Sequence, residues 1–370
     1  MRRVGRLLPF LLLLLLPLAS ACGGVPDLPT YEAEPTPPLA RCGLSCETPP
    51  LRSLAAHVEG DALQLAARGL REPTLLRARA GAPWDPEAIR FAPAGPAGGR
   101  PWRFLATPGG PGLLHGGGPG DAGEAASLRW QPAGDAPPRA LAGGPLRAVD
   151  AALVDGVPWV AWVDGAGRLK VRALEGEGPG QAVDPRFGAA EAVAVALATH
   201  GRRVFAARAS DRGVELAELG PGAEAPPPMR LSAAPSRAVA LAPLGRGLAV
   251  AWTERLAVRW ARVGPTGEVE AGLLDDGRRS GEGARRVGAA LRARAVGDGV
   301  LFAYQDQSRG RLVLARLGAS GPPVREEHAT EGWVRAMDVA LLDGRAIDLG
   351  LRRGPDGGFE ARLFVTRAGP

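Results

Sequence analysis

The sequence predicts an all-β chain of repeated strand-turn-strand units behind an amino-terminal export leader. Three observations lead there. Glycine and proline are abundant, at 53 and 36 of 370 residues, yet the apolar runs between them are short and regular, which is the pattern of punctuated strands. Aromatic residues are few and Ala, Leu and Val dominate the 45% hydrophobic content. One strand-turn-strand pattern also returns along most of the chain, and such a period decides the fold before any motif does.

One unit is written by Ala148-Val-Asp-Ala-Ala-Leu-Val-Asp-Gly156, Val157-Pro-Trp-Val-Ala-Trp-Val-Asp164 and Arg168-Leu-Lys-Val-Arg-Ala-Leu174. The second of these strands is apolar on both faces, with Val160 and Trp162 on one and Trp159, Ala161 and Val163 on the other. A strand of that kind sits inside a sheet covered on both sides. The third alternates, Leu169 and Val171 inward and Lys170 and Arg172 outward. The pattern recurs at 192–219, 238–263, 291–317 and 334–365, and earlier at 54–68 and, more degenerately, 102–130. First turns at Gly156, Gly201, Gly245/Gly247, Gly297/Gly299 and Gly344 repeat at about 45 to 52 residues. Seven units of about 46 residues fill the chain after residue 50.

A period near 45 with three or four strands per unit resembles β-propeller repeats, which stand blades around a central channel. The resemblance covers 51–370 and implies seven four-stranded blades; a β-solenoid is the alternative. The Gly-His and Trp-Asp signature of one propeller class and the double-Gly signature of kelch are absent. The seventh unit offers three strands and then ends at Pro370. In many propellers an amino-terminal strand completes the last blade, and here the candidate donor lies within 46–54, with Pro49 and Pro50 limiting it to an edge.

Residues 1–21 read as a signal peptide. Arg2, Arg3 and Arg6 form a positive region, Leu7 to Leu18 an apolar one, and Ala19-Ser20-Ala21 a small-residue cleavage site. Twelve apolar residues broken by Pro9 and Pro17 are short for a membrane span. Leu18-Ala19-Ser20-Ala21-Cys22 resembles the lipobox of bacterial lipoproteins, although Ala19 stands where Leu is usual. The resemblance implies lipidation of Cys22; ordinary signal peptidase cleavage at the same bond, leaving a soluble protein, is the alternative. Gly23 resembles the default for outer-membrane sorting. Residues 22–50 are a proline-rich tether, and 51–370 the repeat domain. Three cysteines occur, so acylating Cys22 leaves Cys42 and Cys46 as a pair for a short disulfide in an oxidising compartment. Two free thiols are the other reading.

Composition and motifs exclude several function classes. Of 45 basic residues only Lys170 is lysine, and losing Arg2, Arg3 and Arg6 with the leader lowers the formal charge from +6 to +3. The remaining arginines lie scattered among carboxylates, without the basic stripe that nucleic-acid binding requires. The four histidines, His57, His115, His200 and His328, have no metal-ligand spacing, so no metal is expected. Gly118-Pro-Gly-Asp-Ala-Gly123 matches a dinucleotide pattern formally but precedes a strand-like run. Sialidase boxes have only Ser210-Asp-Arg-Gly213 as a near match. No catalytic residue and no cofactor are therefore expected.

One constellation recurs. Asp164, Asp211, Glu254, Asp306 and Asp356 each follow a second strand. In a propeller those turns open on one end, giving a broken acidic face for a cation or arginine. The alternative is local turn chemistry, in which Asp bonds its own backbone. The expectation is a lipid-anchored envelope module without catalysis, binding the membrane through its lipid and another envelope protein through its surface. A divergent propeller hydrolase acting on envelope glycans or peptides is the alternative.

Overall fold

The computed structural model describes residues 30–32, 53–59, 62–68, 74–79, 92–96, 100–116, 127–134, 136–174, 181–183, 187–219, 226–255, 257–276, 287–306, 311–329, 334–342, 345–353 and 359–365. Cys22, Cys42, Cys46 and Asp356 lie outside them, as does the Gly118–Gly123 run.

Every regular element among the described residues is a strand, and these build seven antiparallel sheets. After β1 (Thr30–Glu32), the first sheet holds β2 (Ser53–Glu59), β3 (Ala62–Arg68), β4 (Thr74–Arg79) and β5 (Ala92–Pro96). The second holds β6 (Arg100–Thr107), β7 (Gly110–Gly116), β8 (Leu128–Gln131) and β9 (Arg139–Ala142). The third holds β10 (Leu146–Val154), β11 (Val157–Asp164), β12 (Leu169–Ala173) and β13 (Gln181–Val183). β14 (Ala192–His200), β15 (Arg203–Ser210), β16 (Gly213–Leu219) and β17 (Met229–Ser232) form the fourth. β18 (Val239–Leu244), β19 (Gly247–Glu254), β20 (Ala257–Val263) and β21 (Val269–Asp275) form the fifth. The sixth has β22 (Val287–Val296), β23 (Gly299–Asp306), β24 (Arg311–Leu317) and β25 (Val324–Ala329); the seventh has β26 (Val334–Leu342), β27 (Arg345–Arg353) and β28 (Phe359–Val365).

Each sheet is a meander in which strands pair in sequence order, and the first two strands of each are joined by a short turn. The hairpin of β10 and β11 turns at Asp155 and Gly156, both at positive φ (49° and 81°), the geometry of a type I′ turn. Five of the seven first strands, β6, β10, β14, β22 and β26, carry a bulge where they pair with the second strand. A bulge adds local twist.

The core is divided by the sheets. Six apolar clusters fill the six successive gaps from first to seventh sheet. The second strand of the third sheet shows how one strand serves two of them. Val160 and Trp162 pack against Leu114, Leu128 and Trp130 of the second sheet. Ala161 and Val163, on the opposite face, pack against Leu197, Val204 and Ala206 of the fourth. Apolarity on both faces of second strands thus has the cause expected from the sequence: sheets two to six are each covered on both sides. Burial of apolar area drives this at roughly 25 cal/mol per Å². Alanines such as Ala206, Ala249, Ala303 and Ala315, each wholly buried, limit how far the backbones stand apart.

The first strands also touch in order, β2 on β6, β6 on β10, and so to β22 on β26, and β26 packs back against β2. Of the stretch 46–54 expected to supply an amino-terminal donor, residues 46–52 lie outside the described residues. Ser53 and Leu54 open β2 and pair with Arg68 and Ala67 of the first sheet, while the seventh sheet has three strands among the described residues. β1, inside the stretch read as a tether, lies parallel to β25 with Thr30 opposite Arg325 and Glu32 opposite Glu327. It adds a fifth strand to the sixth sheet.

Packing between second and third strands leaves no spare volume in places. A Cβ at Gly112 would lie 2.1 Å from Cη2 of Trp130, whose ring is buried between the second and third sheets. At Gly143 nothing lies within 4 Å. We expect Gly112→Ala to lower the thermal midpoint by an amount corresponding to about 1–3 kcal/mol, with Gly143→Ala close to wild type. Equal midpoints for the two variants, measured by circular dichroism, would contradict this packing.

Candidate functional site

Counting four residues back from the last pair of each first hairpin gives one equivalent position per sheet: Ala55, Arg103, Asp150, Ala196, Ala240, Arg292 and Asp338. The two aspartates of this layer, Asp150 and Asp338, each anchor the same kind of arrangement. Arg103 Nη1 lies 2.8 Å from Asp150 Oδ1, and Asp150 Oδ2 accepts the Leu197 N–H of the next sheet at 2.8 Å. In the second copy, Arg294 Nη2 donates to Asp338 Oδ1 at 3.1 Å, and Asp338 Oδ2 accepts the Ala56 N–H at 2.9 Å. Arginine in one sheet, aspartate in the next and an amide in the third are linked each time. The second copy runs from the sixth sheet through the seventh to the first.

The physical reason lies in the edge of the first strand. Each first strand has a strand partner on one side only, so alternate N–H groups on its other edge have no ladder. A buried amide left unpaired costs about 1–3 kcal/mol. The two aspartates supply a charged acceptor at Leu197 and Ala56, and their own burial (7% exposed for Asp150, 2% for Asp338) is compensated by the arginines. Arg294 Nε donates to the Val339 carbonyl at 3.0 Å, and the Val339 N–H returns to Asp338 Oδ1 at 2.9 Å. Burial, together with the neighbouring Arg103 and Arg292 charges, pushes the Arg294 pKa down to about 10 against the pull of Asp338 and Asp150.

Between these side chains lies a cavity of about 40 Å³ walled by the first strands β6, β10, β14, β18 and β22, with Arg103, Asp150 and Arg292 as its charged groups.

A second polar cluster joins the fifth and sixth sheets. Arg325 Nη2 reaches Asp275 Oδ2 at 3.1 Å and Glu327 Oε1 at 2.6 Å, and Nη1 donates to the Leu274 carbonyl at 3.2 Å. Tyr304, wholly buried, donates to Asp275 Oδ2 at 3.4 Å. Burial, and then the Asp275 charge, pushes the Tyr304 pKa well above its ordinary value. The tyrosine therefore stays a donor at any physiological pH and holds the two sheets together.

The acidic residues singled out in the sequence have separate local surroundings. Asp164 Oδ1 accepts the Ala166 and Arg168 N–H groups at 3.0 Å each, and Oδ2 accepts from Arg168 Nε at 2.9 Å. Burial raises its pKa, but these bonds outweigh burial and hold the carboxyl below its ordinary value. Glu254 Oε2 accepts from Ser232 Oγ at 2.9 Å and lies 3.2 Å from Arg259 Nε. Asp211 is exposed in the turn between β15 and β16, and Asp306 is buried beside the Arg325 cluster. Ser210 Oγ donates to the Gly213 carbonyl and accepts from the Arg212 N–H, so the box-like Ser210–Gly213 closes its own turn. Among the described residues no three His, Cys, Asp or Glu side chains gather as metal ligands. Of the histidines, His115 is buried in β7, and desolvation with a smaller push from Arg129 lowers its pKa to about 4.

The first-strand charges were not singled out in the sequence, although a signal was present. Arg147-Ala-Val-Asp-Ala-Ala-Leu-Val-Asp-Gly156 and Arg335-Ala-Met-Asp-Val-Ala-Leu-Leu-Asp-Gly344 agree at seven of ten positions. Both contain the aspartate that receives the next sheet.

No protein-family model matches the chain, and no curated protein matches it. Among solved structures, the chain is similar to a SapL1 lectin in complex with alpha methyl fucoside. The identity is 13%, the TM-score 0.48, and the match covers 88% of this chain and 95% of that one. It is also similar to BBS1N in complex with ARL6DN, at 12% identity and TM-score 0.49, covering 90% and 93%.

Removing one aspartate leaves an arginine without its counter-charge and an amide without its acceptor. We expect Asp150→Ala and Asp338→Ala each to cost about 3–5 kcal/mol in chemical denaturation. Asp338→Asn, which keeps an acceptor for Ala56, should lose less. Wild-type stability in both alanine variants would show that the sheets are not joined this way.

Proposed function

We propose that the chain is a seven-bladed β-propeller, held at the cell envelope by lipid on Cys22, that works as a non-catalytic binding or scaffold module. The observation that carries the reading is the double Arg–Asp–amide link in the first strands. It joins sheets two, three and four, and again six, seven and one. Sheets linked in a ring give a rigid body on which turns gather at two ends, and rigid display of turns suits recognition.

The interior carboxylates Asp150 and Asp338 are committed to this architecture. Arg103 and Arg294 each face a carboxylate, and each carboxylate also accepts an amide. The turn carboxylates Asp164 and Glu254 are likewise held by arginines. The leader and Gly23 favour an outer-membrane lipoprotein, and the partner expected is another envelope protein.

Fractionation and cross-linking in intact cells test the proposal together. Wild-type protein should sediment with membranes and cross-link to an envelope protein, whereas Cys22→Ser should be recovered in the soluble fraction. Membrane retention of that variant would overturn the lipid anchor. Cleavage of envelope glycans or peptides by the purified protein would overturn the non-catalytic reading in favour of a hydrolase.

A further inference from the structure

The cavity among the first strands has an unbalanced donor account. The carboxylate oxygens are occupied: Asp150 receives Arg103 and Leu197, and Asp338 receives Arg294, Val339 and Ala56. The guanidinium groups are not. Each carries five N–H donors in a planar fork. Arg103 uses Nη1 on Asp150 and has no other partner among the described residues. Arg292 Nη1 donates to the Leu291 carbonyl at 3.1 Å, and its Nε stands 3.6 Å from Asp338 Oδ1, too far for a hydrogen bond. Both side chains line the cavity and keep some access to solvent, 19% for Arg103 and 34% for Arg292.

Charge points the same way. Among the described residues, Arg103, Arg292 and Arg294 face only Asp150 and Asp338, which leaves one positive charge in excess. The exposed wall of the cavity is mainly polar, while Val149, Val195, Leu241 and Leu291 of the same strands pack into the apolar clusters between sheets. A cation partly withdrawn from water among such groups interacts more strongly than in bulk solvent. The lowered pKa of Arg294 reflects the same crowding.

We propose that the cavity between Arg103 and Arg292 binds a carboxylate group through the unused guanidinium N–H groups of the two arginines. A carboxylate supplies one negative charge, equal to the excess, and its planar pair of oxygens fits guanidinium forks. Phosphate, which carries nearer two charges at neutral pH, would reverse the balance. A space of about 40 Å³ has room for roughly two or three waters, so the acid group itself enters and the rest of the ligand stays in the channel mouth. The site adds a ligand class to the binding role proposed above. It rests on five first strands and is independent of the lipid anchor, so loss of one does not remove the other.

Thermal unfolding of the purified protein in acetate, phosphate or chloride at equal ionic strength tests the assignment. Acetate should raise the midpoint saturably, by about 2 °C at ten times its dissociation constant. Arg292→Gln should remain folded, since Asp338 keeps Arg294 and Ala56, and should lose that response. The Nε signals of Arg103 and Arg292 in the wild-type NMR spectrum should move with acetate, which serves if the variant fails to fold. Acetate behaving as chloride, an undiminished acetate response in Arg292→Gln, or unmoved Nε signals would overturn the site. A larger response to phosphate would overturn its assignment to carboxylates.

Discussion

The edge of the first strand is the constraint on which the rest of the structure depends. A sheet that stands in a stack with its first strand inward presents a row of backbone donors where no further strand can pair. Open edges of that kind invite association with other chains. Here the exposed row is met from the side by carboxylates of the neighbouring sheet, at Leu197 from Asp150 and at Ala56 from Asp338. Because each aspartate sits one sheet before the amide it receives, satisfying the edge also joins the sheets in order. The arginine one sheet earlier follows from the same need, since a buried carboxylate requires a counter-charge.

Apolar packing fills what the polar links align. Among the described residues six clusters occupy the gaps between successive sheets, and the second strands β7, β11, β15, β19 and β23 each feed two of them. Between the fifth and sixth sheets, Tyr304, Asp275, Arg325 and Glu327 add a polar pin where the outer strands meet. The inner strands are thus tied by Arg–Asp pairs and this outer margin by an Arg–Tyr–carboxylate cluster. Together they hold the sheets from sliding past one another, which a purely apolar interface of alanines would resist weakly.

Much of the architecture was legible because it follows from short-range pattern. The second strands announce themselves by apolarity on both faces, as at Val160 to Val163, and the first turns by Gly. Fourth strands are harder to read: Gln181–Val183 and Met229–Ser232 are only three and four residues long. The strand Thr30–Glu32 was not legible, since it is three residues long, lies within the proline-rich stretch and pairs with β25 far along the chain. The first-strand charges were overlooked for a related reason. Asp150 and Asp338 look like the polar half of an alternating strand, and their partners lie a whole unit away or at the opposite end of the sequence. Only the near-identity of 147–156 and 335–344 marks them, and the use of the turn acids, such as Asp164 at its own turn, is visible only in the geometry.

The proposed binding role rests on sheets joined in order by these links, with Arg103 and Arg292 holding unused donors among the first strands and Asp164 and Glu254 held at their own turns. All of it depends on the seventh sheet meeting the first. The direct test is a through-hydrogen-bond scalar coupling, measured by NMR on deuterated protein, between the amide nitrogen of Ala56 and the side-chain carboxyl carbon of Asp338. The account predicts a resolved correlation and slow exchange of the Ala56 amide. No correlation, with the Ala56 amide exchanging as fast as an exposed one, would contradict it and leave an open stack of sheets in place of a ring.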